Sequence, residues 1–139
     1  MTFEGNAEDR LAVRERIEAY SDAVYRHDAA AWIANWAQDG VWRLPGLEFS
    51  GAPNIRTAWE QAMSAFTVAA FFAVPGSIRI KADRAEARVY TQEVLIEHTG
   101  AVRKIFGAYD DVLARRDGAW LFSSRTYRIL HEETSGEHT

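Results

Sequence analysis

The sequence predicts an α+β domain in which three helices from the N-terminal half cover the concave face of a strongly curved, mostly antiparallel sheet. Three observations predict it. Apolar residues recur at helical spacing through the first half of the chain, long β-rich runs fill the second half, and tight turn signals separate those runs. Consecutive long antiparallel strands twist and curl. Helices laid against such a sheet leave a cone-shaped barrel with a pocket inside.

The elements follow in order. Asn6, with Asp9 three residues later, resembles a helix cap, in which a short polar side chain satisfies an orphan amide. Val13, Ile17, Tyr20 and Val24 then form one buried helical stripe. That helix is expected to stop near His27. Asp28 caps a second, shorter helix through Trp32, Ile33 and Trp36, which Asp39-Gly40 ends. Val41 to Leu44 begins a strand, Pro45-Gly46 turns it, and Leu47 to Ser50 returns as a short partner. A third helix is expected from Pro53 to Phe66, burying Ile55, Trp59, Met63 and Phe66, with Pro53 in its first turn. Val68–Val74 and Ser77–Lys81 flank Pro75-Gly76 and form one bent strand or two. Asp83-Arg84 precedes the β-rich run Ala85–Glu97, and His98-Thr99-Gly100 turns into Val102–Arg115. Asp117-Gly118 supplies the positive φ that a tight hairpin needs before the last strand, Ala119–Leu130.

The chain of 139 residues suits a single domain over residues 1–131, with a polar tail over 132–139. A net charge of −4 with both signs interspersed gives no footprint for nucleic acid or anionic membrane. Without cysteine, no disulfide, thiolate nucleophile or thiolate metal site is possible. The start, MTFEGNAEDR, shows no secretory signal, and the longest apolar stretch, Phe66 to Val74, is too short to span a bilayer. A cytoplasmic protein is the expectation.

Tyr20 to Pro45 is the richest stretch, with two tyrosines, a histidine and three of the five tryptophans beside polar groups, as a buried small-molecule pocket requires. Tyr20 through Asp28 followed by Trp32, Trp36 and Asp39, then Pro45-Gly46 with Gly51 and Ile55, form the first part of a wider pattern. It continues through Asp83-Arg84-Ala85 with Arg88, Tyr90 and Glu93, and through Gly107, Tyr109, Asp110, Asp111, Asp117-Gly118, Trp120 and Arg125. In order and spacing this pattern resembles the SnoaL-like branch of the nuclear transport factor 2-like superfamily. The resemblance implies a cone-shaped barrel, usually a dimer, with a cofactor-free pocket. Such folds serve polyketide cyclases, ketosteroid isomerase, scytalone dehydratase and limonene epoxide hydrolase. They also serve small subunits of ring-hydroxylating dioxygenases and pockets without known catalysis.

Against that pattern, Tyr20 stands where the isomerase type carries an oxyanion-donating tyrosine; otherwise it is a core residue. Tyr25 replaces the aspartate that dehydratase-like members carry, and a phenol donates a hydrogen bond but is a poor base. Asp22, rotated away from Tyr20, reads as a solvated residue. Leu44 replaces the isomerase's proton-shuttling aspartate. Asp110 aligns with a protonated carboxylic-acid donor of that enzyme. Strand alternation groups Asp110 with Phe106, Ala108, Val112 and Ala114 as the concave set, with Asp111 on the convex side. A one-residue shift would exchange the two, and an ion pair of Asp110 with Arg125 is the structural alternative.

Glu93, flanked on its face by Thr91 and Leu95 above Ala87 and Val89, is the candidate general base; its structural alternative is a salt bridge to Arg125 or Arg103. Trp36, Trp42, Leu44, Trp59, Phe72 and Arg125 are expected to contact the ligand. The four histidines show no metal spacing, so neither metal nor cofactor is expected. No serine elbow is present for nucleophilic catalysis.

The reading is a cofactor-independent lyase, isomerase or cyclase acting by acid–base chemistry on a cyclic or aromatic molecule. The partners expected are a small hydrophobic or aromatic ligand and a second copy bound through the convex sheet face. The alternatives are a binding protein with the same pocket, or the small subunit of a dioxygenase-type assembly.

Overall fold

A computed structural model describes residues 2–136. Three helices and one seven-stranded sheet are present among them. The chain runs β1 (Phe3–Glu4), α1 (Ala7–Tyr25), α2 (Ala29–Ile33), β2 (Trp36–Leu44), β3 (Leu47–Ser50), α3 (Ala52–Met63), β4 (Phe66–Lys81), β5 (Arg84–Glu97), β6 (Val102–Arg116) and β7 (Ala119–Ser135). The strand order is β1-β4-β5-β6-β7-β2-β3. Four long strands, β4 to β7, form consecutive antiparallel pairs, whereas β1 joins β4 and β2 joins β7 in parallel.

The expected caps are present. Asn6 Oδ1 accepts from the amides of Glu8 and Asp9, and Asp28 Oδ1 accepts from the amide of Ala31. Val13, Ile17, Tyr20 and Val24 are buried as one stripe of α1. Ile55, Trp59 and Met63 are buried on α3, whose first turn contains Pro53. Trp59 stacks on Trp32 of α2 with centroids 4.7 Å apart and planes 11° off parallel, so the two shorter helices share one aromatic seam. At the β6–β7 hairpin, Asp117 and Gly118 take φ of 51° and 80°, the left-handed pair that a two-residue turn requires.

Three boundaries differ from expectation. The third helix ends at Met63, short of Phe66, which is half-buried and opens β4 instead. The second helix ends at Ile33 instead of running through Trp36. Asn35 is the reason: its Nδ2 donates to the carbonyls of Ala31 and Trp32, closing the helix end, while its own carbonyl accepts from the amide of Phe122. Trp36 therefore enters the sheet beside Phe122. Of the two readings of Pro75-Gly76, the single bent strand is the one present: β4 is continuous, with its register against β5 shifting between Pro75 and Ser77. Lastly, β7 continues through Ser135, past the point where a tail was expected, because Ile105 to Val102 of β6 offer it partners from Glu132 to Ser135. The last three residues of that tail, 137–139, lie outside the described residues.

α1 lies against β4 and β7, and α3 against β2 and β3, so the helices cover the concave side of a sheet that remains open at both edges. None of the described helices is long and apolar enough to cross a membrane.

Candidate functional site

Between the helices and the sheet lies a cavity of about 380 Å³. Tyr20 and Val24 of α1, Trp42 and Leu44 of β2, Trp59 and Met63 of α3, and Phe66 and Phe71 of β4 form its apolar walls. Glu93, Arg103, Tyr109 and Tyr127 bring polar atoms to it from β5, β6 and β7, and the exposed residues Gln61, Ala62 and Ala65 stand at its rim. An apolar enclosure with few convergent polar groups suits a small organic ligand. A larger depression of about 680 Å³ lies on the opposite face of the sheet. It is open, and Arg43, Arg79 and Arg84 on its border are tied to Glu48, Glu4 and Glu86. The smaller, drier cavity is the candidate site.

Glu93 is the carboxylate in that cavity. It shares the concave face with Thr91 and Leu95, and the Tyr127 hydroxyl donates a hydrogen bond to its Oε2. Neither expected ion pair of Glu93 forms: Arg103 binds Glu132, with Nη2 2.6 Å from Oε1, and Arg125 binds Asp111. Burial pushes the Glu93 carboxyl above the ordinary glutamate range, against the opposing influence of the Tyr127 hydrogen bond and of Arg103 and Arg125. The folded chain thus holds a proton on Glu93 more tightly than the unfolded chain. This contribution to stability is fully present below the unfolded pKa and is lost as pH rises through the folded one. Urea-unfolding midpoints measured across that window should fall for wild type relative to Glu93→Gln as pH rises; parallel curves would contradict the raised pKa.

Beneath the cavity, Arg125 and Asp111 face each other across β6 and β7 and are both fully buried. Arg125 Nε donates to Asp111 Oδ1 at 2.7 Å and Nη2 donates to Oδ2 at 3.0 Å. The guanidinium carbon lies 3.8 Å from the Tyr109 ring centroid and 4.4 Å from those of Tyr20 and Phe122. Burial disfavours the Arg125 charge, but the Asp111 carboxylate together with Tyr20 and Tyr109 outweighs this, so the guanidinium remains charged. Burial raises the Tyr20 and Tyr109 phenols, and the neighbouring Arg125 pulls both back down. Both remain protonated donors near neutrality.

The faces expected for Asp110 and Asp111 are therefore exchanged. Asp110 is exposed on the convex side, 3.6 Å from Arg128 Nε, and Asp111 is the buried partner of Arg125. The concave side of β6 carries Ile105, Gly107, Tyr109, Asp111 and Leu113, and the helices dry that face, so a charge there enters only with its counter-ion opposite. Tyr25 is 44% exposed and Phe72 55%; their rings meet edge to face outside the cavity. Phe71, the neighbour of Phe72, lines the cavity instead. Trp36 is buried in the core against Trp32, Trp42 and Phe122 and does not line the cavity. Tyr20, Trp42, Leu44, Trp59 and Glu93 do line it, and Arg125 lies below its aromatic floor.

Tyr109 and Tyr127 were not among the residues expected at the site. The period of two from Arg125 puts Tyr127 on the Arg125 face, a signal present in the sequence. Among the described residues, no group of three or more histidines or acidic residues gathers in a geometry that could hold a metal.

A curled sheet roofed by three helices around an aromatic cavity is the nuclear transport factor 2-like fold. Within it, the chain belongs to the SnoaL-like domain family, whose profile matches residues 5–126. No functionally curated protein matches the chain. Among solved structures, it is similar to a provisionally assigned scytalone dehydratase from Novosphingobium aromaticivorans, with 16% identity, 94% of this chain and 89% of that one covered, and a TM-score of 0.85. It is also similar to a provisionally assigned aromatic ring hydroxylase from the same organism, with 23% identity, 96% of each chain covered and a TM-score of 0.85. A third similar structure is the LinA-type3 hexachlorocyclohexane dehydrochlorinase from Novosphingobium barchaimii, with 16% identity, 95% and 94% covered and a TM-score of 0.80. At these identities the likeness establishes the fold.

Proposed function

We propose that the protein is a cofactor-independent acid–base enzyme of the lyase, isomerase or cyclase type, acting on a cyclic or aromatic small molecule in this cavity. The observation that carries the reading is Glu93: a carboxylate in an apolar wall, oriented by Tyr127, with its proton affinity raised by burial. Such a group accepts a proton from a carbon next to a carbonyl with more driving force than an exposed glutamate. Tyr20 and Tyr109 supply phenolic donors for the oxyanion that then develops, and Arg125 beneath their rings favours negative charge there. Tyr25 and Asp110, outside the cavity, take no part. Two of the similar structures carry names that denote loss of water and loss of hydrogen chloride, reactions in the same broad class.

The test is carbon–deuterium exchange. Wild-type protein is incubated in D₂O with a panel of cyclic ketones and hydroxy-ketones, and α-deuteration is read by mass spectrometry. Stereoselective exchange above the buffer rate on at least one ring compound is expected. Leu44 favours a second reading, since an aliphatic side chain lines the cavity where the isomerase type has its aspartate. Ring compounds that bind without exchange would support that non-catalytic pocket.

In the same reading the protein is a homodimer joined through the convex sheet face, where Val74, Tyr90, Phe106 and Leu130 leave apolar surface exposed. Val74→Asp is expected to convert a dimer to a monomer in sedimentation velocity; a wild-type monomer would rule the dimer out.

A further inference from the structure

The contact between Tyr127 and Glu93 depends on a glycine. Tyr127 stands on β7 opposite Tyr109, whereas Glu93 stands on β5, with β6 between them. The Tyr127 ring reaches Glu93 by crossing β6 over Gly107, which pairs with Thr91 on one side and Ile129 on the other. A Cβ built on Gly107 would overlap the Tyr127 hydroxyl oxygen, Cε1 and Cζ. The space that any other side chain would fill at position 107 is therefore taken by the phenol. The backbone gives no second reason for glycine there, since Gly107 is not among the residues with positive φ. The Tyr109 ring, 4.7 Å away and tilted 43°, flanks Tyr127 and limits where it can retreat.

We propose that Gly107 and Tyr127 are positioning residues for Glu93: the absent side chain at Gly107 opens a lane across β6 through which the Tyr127 hydroxyl reaches and orients the Glu93 carboxylate. The proposal rests on the reading of Glu93 as the base, but its geometry does not require turnover. The titratable and charged groups that act on Glu93 are Tyr20 of α1, Arg103 and Tyr109 of β6, and Arg125, Tyr127 and Glu132 of β7. Burial raises its pKa, and the Tyr127 hydrogen bond is the largest of the opposing influences, ahead of Arg103 and Arg125. Losing that hydrogen bond moves the Glu93 titration upward, and Gly107→Ala acts as a deletion of the hydroxyl because it displaces the ring.

The experiment is a ¹³C NMR titration of protein labelled with [δ-¹³C]glutamate, with the Glu93 resonance assigned by its loss in Glu93→Gln. Tyr127→Phe and Gly107→Ala are each expected to raise the Glu93 midpoint, and the double variant to raise it no further than either alone. A midpoint raised by Tyr127→Phe but unmoved by Gly107→Ala would overturn the role of Gly107; a midpoint unmoved by both would overturn the proposal. Thermal unfolding provides the control for folding. Gly107→Ala is expected to lower Tm in the Tyr127 background but not in a Tyr127→Ala background. Recovery of folding in Gly107→Ala/Tyr127→Ala supports the proposal even if Gly107→Ala alone does not fold, whereas failure of both would show that the conflict lies elsewhere. The titration uses no substrate, so a pocket that binds without catalysis would leave its outcome intact.

Discussion

Glu93→Gln is expected to lower the rate of carbon–deuterium exchange by about 10²–10⁴-fold, the usual contribution of a positioned acid or base. Glutamine keeps nearly the same volume and an oxygen that can accept the Tyr127 hydrogen bond, so the cavity retains its shape. What is lost is the ability to take a proton. Binding of ring compounds, followed by quenching of tryptophan fluorescence from Trp42 and Trp59 in the cavity wall, is expected to persist. Asp110→Asn is the matched control: that carboxylate lies on the convex face beside Arg128, and its removal is expected to leave exchange unchanged. A large loss in Asp110→Asn with none in Glu93→Gln would reverse the assignment.

The largest stability effect is expected at Arg125. Replacing it with methionine leaves Asp111 ionisable, fully buried and without its bidentate partner. Breaking a buried pair in this way costs about 3–5 kcal/mol. The loss of the guanidinium from over Tyr20, Tyr109 and Phe122 adds to that cost, because each of these contacts is desolvated. Urea unfolding gives the value directly. The double variant Arg125→Met/Asp111→Leu removes both charges and is expected to recover most of the loss, since apolar replacement of a whole buried pair is often neutral or better. If Arg125→Met alone cost no more than a surface substitution, the pair could not be what supports the floor of the site.

Much of the fold was legible in local chemistry. The stripe of α1, the caps at Asn6 and Asp28, Pro53 in α3 and the turn at Asp117-Gly118 each depend on residues within a few positions of one another. The face of β5 was legible too, because Ala85, Ala87, Val89 and Thr91 alternate with exposed neighbours, and Glu93 and Leu95 continue the same period. On β6 the pattern is ambiguous: both alternate sets mix apolar residues with one aspartate, so local periodicity does not decide between them. The decision comes from Arg125, fourteen positions away, which lies opposite Asp111 in the β6–β7 register. The end of α2 was hidden for a similar reason, since Asn35 closes the helix locally but is tied into the sheet by Phe122. The face of Tyr127 follows from its spacing to Arg125, but its contact with Glu93 was the least legible feature of the site. The Tyr127 ring reaches two strands away, across Gly107, and no spacing along the chain encodes that diagonal.

The pH dependence of carbon–deuterium exchange, measured beside the titration of the Glu93 carboxyl itself, tests most directly whether this cavity glutamate is the base. Exchange is expected to rise with pH along an acid limb whose midpoint lies above the ordinary glutamate value and coincides with the Glu93 titration, and the limb is expected to vanish in Glu93→Gln. A limb that stays in place in Glu93→Gln, or a Glu93 carboxyl that titrates in the ordinary exposed range, would contradict it.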